Sequence, residues 1–339
     1  MDYFRLKAND QRDIIGTASS ITGRAENVIE KDIWLCLVLR ELFAMPNAKP
    51  MAFKGGTSLS KVYSVINRFS EDVDVTIDYR SFSPDAQLDH LALTSNRIKD
   101  QLTETLRSEV KDYVHGVVAP YLETQLSTLG MTQPCTLIVD ECGEKIEVGY
   151  PSLYAHADGY LRQHVLVEFG GRNIIDPNET CSIEPDLAAQ FSAVIFPKAS
   201  VVVLKAERTF WEKATLIHAA CKKGIKADRN RDSRHWYDLA MLATHEIGAR
   251  AKQDRMLAAD VVNLKKVFYR QGTAEYDACL RGGLTLIPDG DNLARLRADY
   301  EQMIKSGMMD GNIMPMDLIL EVLASLEAEI NAAGQFSFP

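Results

Sequence analysis

Asp72 and Asp74 stand two residues apart in DVDVTIDY, residues 72 to 79, where polar and apolar side chains alternate. Strict alternation predicts a half-buried strand. Residues i and i+2 of a strand point to one face, so the two carboxylates would lie side by side. Their repulsion opposes ionising both. A divalent cation relieves it, and hard carboxylate oxygens suit Mg²⁺. Val73, Val75 and Ile77 would anchor the opposite face in a core. Standing alone, such a pair reads first as a solvated strand face.

The context adds to it. A glycine turn, Gly55-Gly56-Thr57-Ser58, precedes Asp72 by about one helix length. Glycines let backbone N–H groups approach a phosphate, and a helix N-terminus favours the anion. Alone, this too reads as an ordinary strand-to-helix turn. Together, a phosphate cradle and a carboxylate pair joined by one short helix could face one cleft. Two Mg²⁺ ions there could activate an acceptor hydroxyl and clamp a triphosphate for in-line displacement of pyrophosphate. Glu168, in HVLVEFGGR, is the best candidate for a third carboxylate, being the one acid of that apolar strand. Burial between Val167 and Phe169 would be costly without a cation; the alternative is that it faces water. Asp140, at a turn, and Glu147, on a hairpin, are rivals for this role.

The elements that must position these residues can be outlined. Leu35, Val38, Leu39 and Leu42 make one helical face within residues 26 to 45, extended by Val28 and interrupted by Lys31 and Asp32. Met51 to Phe53 reads as a short strand. Leu59, Val62, Tyr63 and Ile66 predict an amphipathic helix, capped by Thr57 or Ser58. A helical stretch from about 85 to 126 follows. Thr136 to Val139 and Lys145 to Val148 read as a hairpin, and His164 to Phe169 and Ala199 to Leu204 as strands. Residues 205 to 222 and most of 235 to 333 read as helical. The expected class is α+β, a small mixed sheet followed by a helical C-terminal part, divided as residues 1–204 and 205–339.

Bulk properties limit the function. The chain has 339 residues, 46 % hydrophobic and 25 % charged, enough for a sizeable core. No apolar run is long enough to cross a bilayer, and the start has no signal-peptide pattern. The expectation is a cytoplasmic protein with no membrane partner. Six cysteines lack CxxC spacing, which argues against a structural zinc site. A net charge of −9 excludes a general nucleic-acid coat. The basic exception runs from Lys205 to Arg234, with nine basic and four acidic residues. Its polar part, Lys222 to Arg234, reads as a mobile loop able to hold an RNA backbone, or as a loop with no partner.

FKGGTSLSK followed by RFSEDVDV resembles the first two motifs of the AbiEii/AbiGii nucleotidyltransferase toxins, of the DNA polymerase β-like superfamily. ERTFWEKATLIH, with Lys213, resembles their third motif, and SRHWYDLAML, with Arg234 and Asp238, their fourth. Some relatives carry an aspartate where this chain has His235. The N-terminal helix and HVLVEFGGR extend the resemblance over residues 28 to 242.

The resemblance implies a polymerase β-like nucleotidyltransferase core. Asp72 and Asp74 would hold the metals, joined by Glu168, and Gly55, Gly56, Thr57 and Ser58 would line the phosphate pocket. Lys213 would reach the triphosphate. Arg234 would pair with phosphate or with an acid on the core sheet. Asp238 would orient the lysine or act on the acceptor. The reaction would be NMP transfer from an NTP to an acceptor hydroxyl, here expected to be the 3′ end of tRNA, by a toxin with a cognate antitoxin. The same chemistry on a small molecule or protein hydroxyl is one rival; an inert interaction module is another, opposed by Asp72, Asp74 and Lys213. Trp211 and His218, seven residues apart, read as packing residues.

Overall fold

The computed structural model describes residues 1–82, 95–131, 133–154, 162–225, 231–309 and 311–334. The chain forms two compact units. The first draws on the described residues of Met1–Val62, Ser70–Pro84 and Glu104–Val203; the second on those of Tyr63–Phe69, Asp85–Thr103 and Leu204–Pro339.

The first unit is built on a seven-stranded mixed sheet. Its strands are β1 (Met51–Lys54), β2 (Asp72–Asp78), β3 (Thr136–Val139), β4 (Lys145–Gly149), β5 (His164–Asn173), β6 (Asn178–Ile183) and β7 (Ala199–Leu204). Their order is β3-β4-β5-β2-β1-β7-β6. Central β2 pairs antiparallel with β1 and parallel with β5. Val73, Val75 and Ile77 are almost completely buried, while Asp72 and Asp74 on the alternate face are partly open. β3 and β4 form the expected hairpin.

Three helices bear on the site: α1 (Ala8–Thr22), α2 (Glu26–Phe43) and α3 (Gly55–Lys61). α1 lies outside the sequence outline. Along α2, Leu35, Val38, Leu39 and Leu42 are buried, but Trp34, Cys36 and Leu37 are buried as well, so the helix is enclosed on all sides rather than on one face, and Val28 is only partly buried. Lys31 and Asp32, which break that apolar face, are buried too, and both are paired. Lys31 Nζ meets Glu71 Oε2 at 2.6 Å, and Asp32 Oδ1 meets Lys61 Nζ at 2.6 Å. Successive helical residues point in different directions. So one helix grips the residue before Asp72 and the last residue of α3.

The structure shortens α3. It begins at Gly55 and ends at Lys61, short of Tyr63 and Ile66. The chain turns at Ser64, with φ 52°, and Tyr63–Phe69 joins the second unit, which is why an apolar spacing persists beyond the helix. Neither Thr57 nor Ser58 caps it. Thr57 Oγ1 donates to Asp72 O at 2.5 Å, and Ser58 Oγ donates to Gly55 O at 2.9 Å.

α4 (Asn96–Tyr113), one π-helical turn and α5 (Ala119–Ser127) account for most of the stretch read from 85 to 126; residues 85–94 of it lie outside the described residues. Among the described residues of the second unit are α6 (Ala206–Lys223), α7 (Ser233–Thr244), α8 (Glu246–Gln253), α9 (Arg255–Phe268), α10 (Gly290–Lys305) and α11 (Met316–Gly334). Trp211 and His218 are buried there, and Trp211 Nε1 donates to Ala251 O at 2.9 Å. In the segment read as a loop, Lys222 and Lys223 end α6, Ser233 and Arg234 begin α7, and 226–230 lie outside the described residues. No helix among the described residues is long and apolar enough to cross a membrane.

Candidate functional site

In the first unit a row of charge crosses four adjacent strands. Lys54 of β1 registers with Asp74 of β2, Asp74 with Glu168 of β5, and Glu168 with Lys145 of β4. Registered neighbours share a face of the sheet, a few ångströms apart. Asp72, two residues along, lies on that face as well. Val167 and Phe169 turn to the buried side. The structure thus brings Asp72, Asp74 and Glu168 onto one surface.

Glu168 is not enclosed by its apolar neighbours. Its side chain is 33 % exposed, and its Oε1 lies 2.6 Å from Lys145 Nζ. The Glu168 carboxylate raises the pKa of that ammonium, and Asp140 and Asp72 add to the effect. The rival acids have other settings. Asp140 Oδ1 accepts from Lys145 N at 3.0 Å and shapes the hairpin turn. Glu147 is half-buried beside His164.

The glycine turn meets the carboxylates directly. Gly55 has φ +79°, a left-handed conformation that a side chain disfavours. A Cβ built there would fall 2.0 Å from Asp74 Oδ2. The Asp74 carboxylate therefore rests against bare backbone, and only glycine permits it. Gly56, Thr57 and Ser58 follow in the buried first turn. The Thr57 and Ser58 hydroxyls are spent on holding turn and strand together. The turn's capacity for an anion would rest on its amides, since the first N–H groups of a helix have no intrahelical acceptor.

The second unit gathers the other group. Lys213 on α6 and Asp238 on α7 pair at 2.8 Å. Arg68, from the embedded segment Tyr63–Phe69, donates from Nε and Nη2 to both Asp238 oxygens at 2.7 and 2.8 Å. That segment is fixed by Asn67 N donating to Tyr237 Oη and Phe69 N to Met308 O. Burial alone would raise the Asp238 pKa, but Arg68 and Lys213 hold it well below the usual carboxylate range. Burial lowers the Lys213 pKa; Asp238 opposes this, while Arg68 and Arg234 reinforce it. Arg234 sits one turn before Asp238 on α7. Arg68 and Lys213 pair with the one anion, and Arg234 lies close enough to act on Lys213, a positive locus in an acidic protein.

Sequence reasoning missed Arg68, although it opens the string RFSEDVDV, because nothing local shows that its partner is an acid 170 residues away. It also missed Lys54 and Lys145, whose relation to Asp74 and Glu168 exists only through strand register.

The donor set of the first unit is all oxygen and suits a hard cation such as Mg²⁺. Asp72 and Asp74 present it on one face, and Gly55 leaves Asp74 room. Glu168 fits only once Lys145 releases it. Among the described residues no group of three metal-capable side chains is already arranged to ligate.

A family model described as "Nucleotidyl transferase AbiEii toxin, Type IV TA system" matches residues 37–321. Among solved structures the chain is similar to MenT4, a nucleotidyltransferase toxin from Mycobacterium tuberculosis H37Rv. The two share 17 % identity with a TM-score of 0.44, over 93 % of this chain and 96 % of that one. No curated protein sequence matches. The family model spans far more than half of the chain and takes in all four motifs: the chain belongs to the AbiEii family of nucleotidyltransferase toxins of type IV toxin–antitoxin systems.

Proposed function

We propose that this toxin moves a nucleoside monophosphate from an NTP to an acceptor hydroxyl in a Mg²⁺-dependent reaction, with the tRNA 3′ end as acceptor. The observation that carries the donor half is the Asp74 carboxylate resting on the bare backbone of Gly55, with Asp72 and Glu168 on the same sheet face.

In this reading Asp72 and Asp74 hold the Mg²⁺, with Glu168 as a third ligand when Lys145 lets go. Bound there, Mg²⁺ would neutralise phosphate charge and favour the ionised acceptor hydroxyl. Gly55, Gly56, Thr57 and Ser58 line the phosphate pocket through their backbone. Lys213 and Arg234 bind the triphosphate, Lys213 as a compact point charge. Asp238 orients Lys213 and is itself fixed by Arg68.

Family membership implies an antitoxin partner. A net charge of −9 favours a second reading, in which the acceptor is a small molecule or a protein hydroxyl. One experiment separates them: incubation with each labelled NTP, Mg²⁺ and total RNA plus cell extract, with Asp74→Ala as control. Label in tRNA only with the unaltered protein supports the first reading. Label in protein or in a small molecule supports the second, and label in none of these removes both.

A further inference from the structure

Lys145 opens β4, and the hairpin turn just before it, from Asp140 to Glu144, is fastened on three sides. Within the turn, Asp140 N donates to Lys145 O and Gly143 N to Asp140 O, each at 3.0 Å. The Asp140 carboxylate accepts from Lys145 N, also at 3.0 Å. On the strand side, Glu144 O accepts from Phe169 N at 2.7 Å, and Glu144 Oε1 from Arg172 Nη2 at 3.1 Å. Phe169 directly follows Glu168.

The third side is helical. Gly143 has φ +68°, and a Cβ built there would fall 2.5 Å from Lys111 Cα of α4. The turn therefore rests on helix backbone, an approach that glycine alone permits. About one turn beyond Lys111 the winding changes to the π-helical segment Val114–Val118. His115 on that segment donates from Nε2 to Asp140 O at 3.1 Å. Such single π turns are rare and frequently lie at functional sites. The internal bonds of the turn are enough to form a hairpin. The helix contacts do something else: they fix where the hairpin sits.

The weak member of the set is the Lys145–Glu168 pair, whose side chains are 50 % and 33 % exposed. An ion pair so open to water favours contact by only a few-fold on its own. The lysine stem is flexible, so the time its ammonium spends on Glu168 depends on where the turn holds its backbone. Glu168 also registers with Asp74 on β2. A cation entering beside Asp74 competes with the ammonium for Glu168, and the seat of the turn sets the strength of that competitor.

We propose that Gly143 and His115 are positioning residues for metal entry: by seating the hairpin turn on α4 and the π-helical segment, they keep Lys145 on Glu168 and set how much divalent cation the site requires. The inference rests on Glu168 serving as a metal ligand, and its sign goes beyond that role. Loosening the turn tightens metal binding, whereas loosening a turn that only shapes the fold weakens binding or leaves it unchanged.

The test is titration of the full chain with Mn²⁺, without nucleotide, followed by loss of the free-ion electron paramagnetic resonance signal. Mn²⁺ takes the same oxygen ligands as Mg²⁺. Lys145→Gln should bind Mn²⁺ about three- to fivefold more tightly, which is the range of an exposed ion pair. Gly143→Ala, whose methyl pushes the turn off α4, should bind it about two- to threefold more tightly. Gly143→Ala combined with Lys145→Gln should bind no more tightly than Lys145→Gln alone, because the turn acts only through Lys145. If Gly143→Ala does not fold, the exposed His115 decides. His115→Ala should tighten binding, and His115→Gln, which keeps a donor, should restore the unaltered value. Unchanged or weaker binding in the deciding variant, with tightening in Lys145→Gln, overturns the positioning role and leaves Glu168 as a ligand. Additive effects in the double variant also overturn it. No tightening in Lys145→Gln, or no Mn²⁺ binding by the unaltered chain, fails the reading beneath.

Discussion

Asp238 accepts hydrogen bonds from both Nε and Nη2 of Arg68, at 2.7 and 2.8 Å, across 170 residues of chain. Both side chains are almost fully buried. Removing one member of such a pair strands the other charge away from water, at a cost of about 3–5 kcal/mol. Arg68→Met should destabilise the second unit by about that amount in chemical denaturation. Arg68→Lys should cost less, since it keeps the charge but loses the paired donors. A loss below about 1 kcal/mol for Arg68→Met would show that Lys213 alone sustains Asp238.

Gly55→Ala places a methyl where Asp74 Oδ2 now lies. The φ of +79° adds strain of about 1–2 kcal/mol. Asp74 must swing aside, so transfer activity should fall by about 100-fold or more while melting shifts by only a few degrees. Full activity in a folded Gly55→Ala protein would mean that Asp74 need not lie against this turn.

Asp72→Asn and Asp74→Asn keep the side-chain shape and remove the charge. Each should lower NMP transfer by more than about 100-fold without loss of fold. Glu168→Gln should cost less, because Glu168 begins in a pair with Lys145. Lys145→Gln, by releasing Glu168, should lower the Mg²⁺ concentration needed for half-maximal rate. A rise in that concentration would show that Lys145 supports the site rather than competing for Glu168.

Burial lowers the pKa of His235 and of His218 in the second unit. The unfolded chain protonates each near the usual value of about 6.5, and the folded chain resists doing so. With more protons on the unfolded state, stability falls as pH falls. The stability is complete above about pH 6.5 and should decline toward pH 5, by up to about 1.4 kcal/mol per pH unit for each histidine. Thermal unfolding between pH 8 and 5 reads this out, and His235→Asn should flatten the slope. Stability that rises on acidification would contradict the buried neutral ring.

Much of the candidate site's geometry was legible in sequence because its parts are local. The DVDV alternation placed two acids on one strand face, and the adjacent glycines marked the turn that meets them. What escaped depended on distant segments. The apolar spacing through Tyr63 and Ile66 suggested a longer helix, but those residues pack into the second unit. Glu168 sits in an apolar run, yet its direction follows from register with Asp74 and Lys145, which no window of sequence displays. Lys31 and Asp32 looked like flaws in an amphipathic helix because their partners, Glu71 and Lys61, lie 40 and 29 positions away.

Those two charges have a further consequence. The local sequence is Glu30-Lys31-Asp32-Ile33. Insertion of one residue after Asp32, pushing the preceding positions back by one, would set Asp32 against Glu71; slippage the other way would set Glu30 against Glu71 and Lys31 against Lys61. Either error opposes like charges away from water. α2 is therefore indexed like a key, with a single azimuth that its locks accept, and natural length variation in this protein should be absent from α2 after Asp32 while loops elsewhere tolerate it.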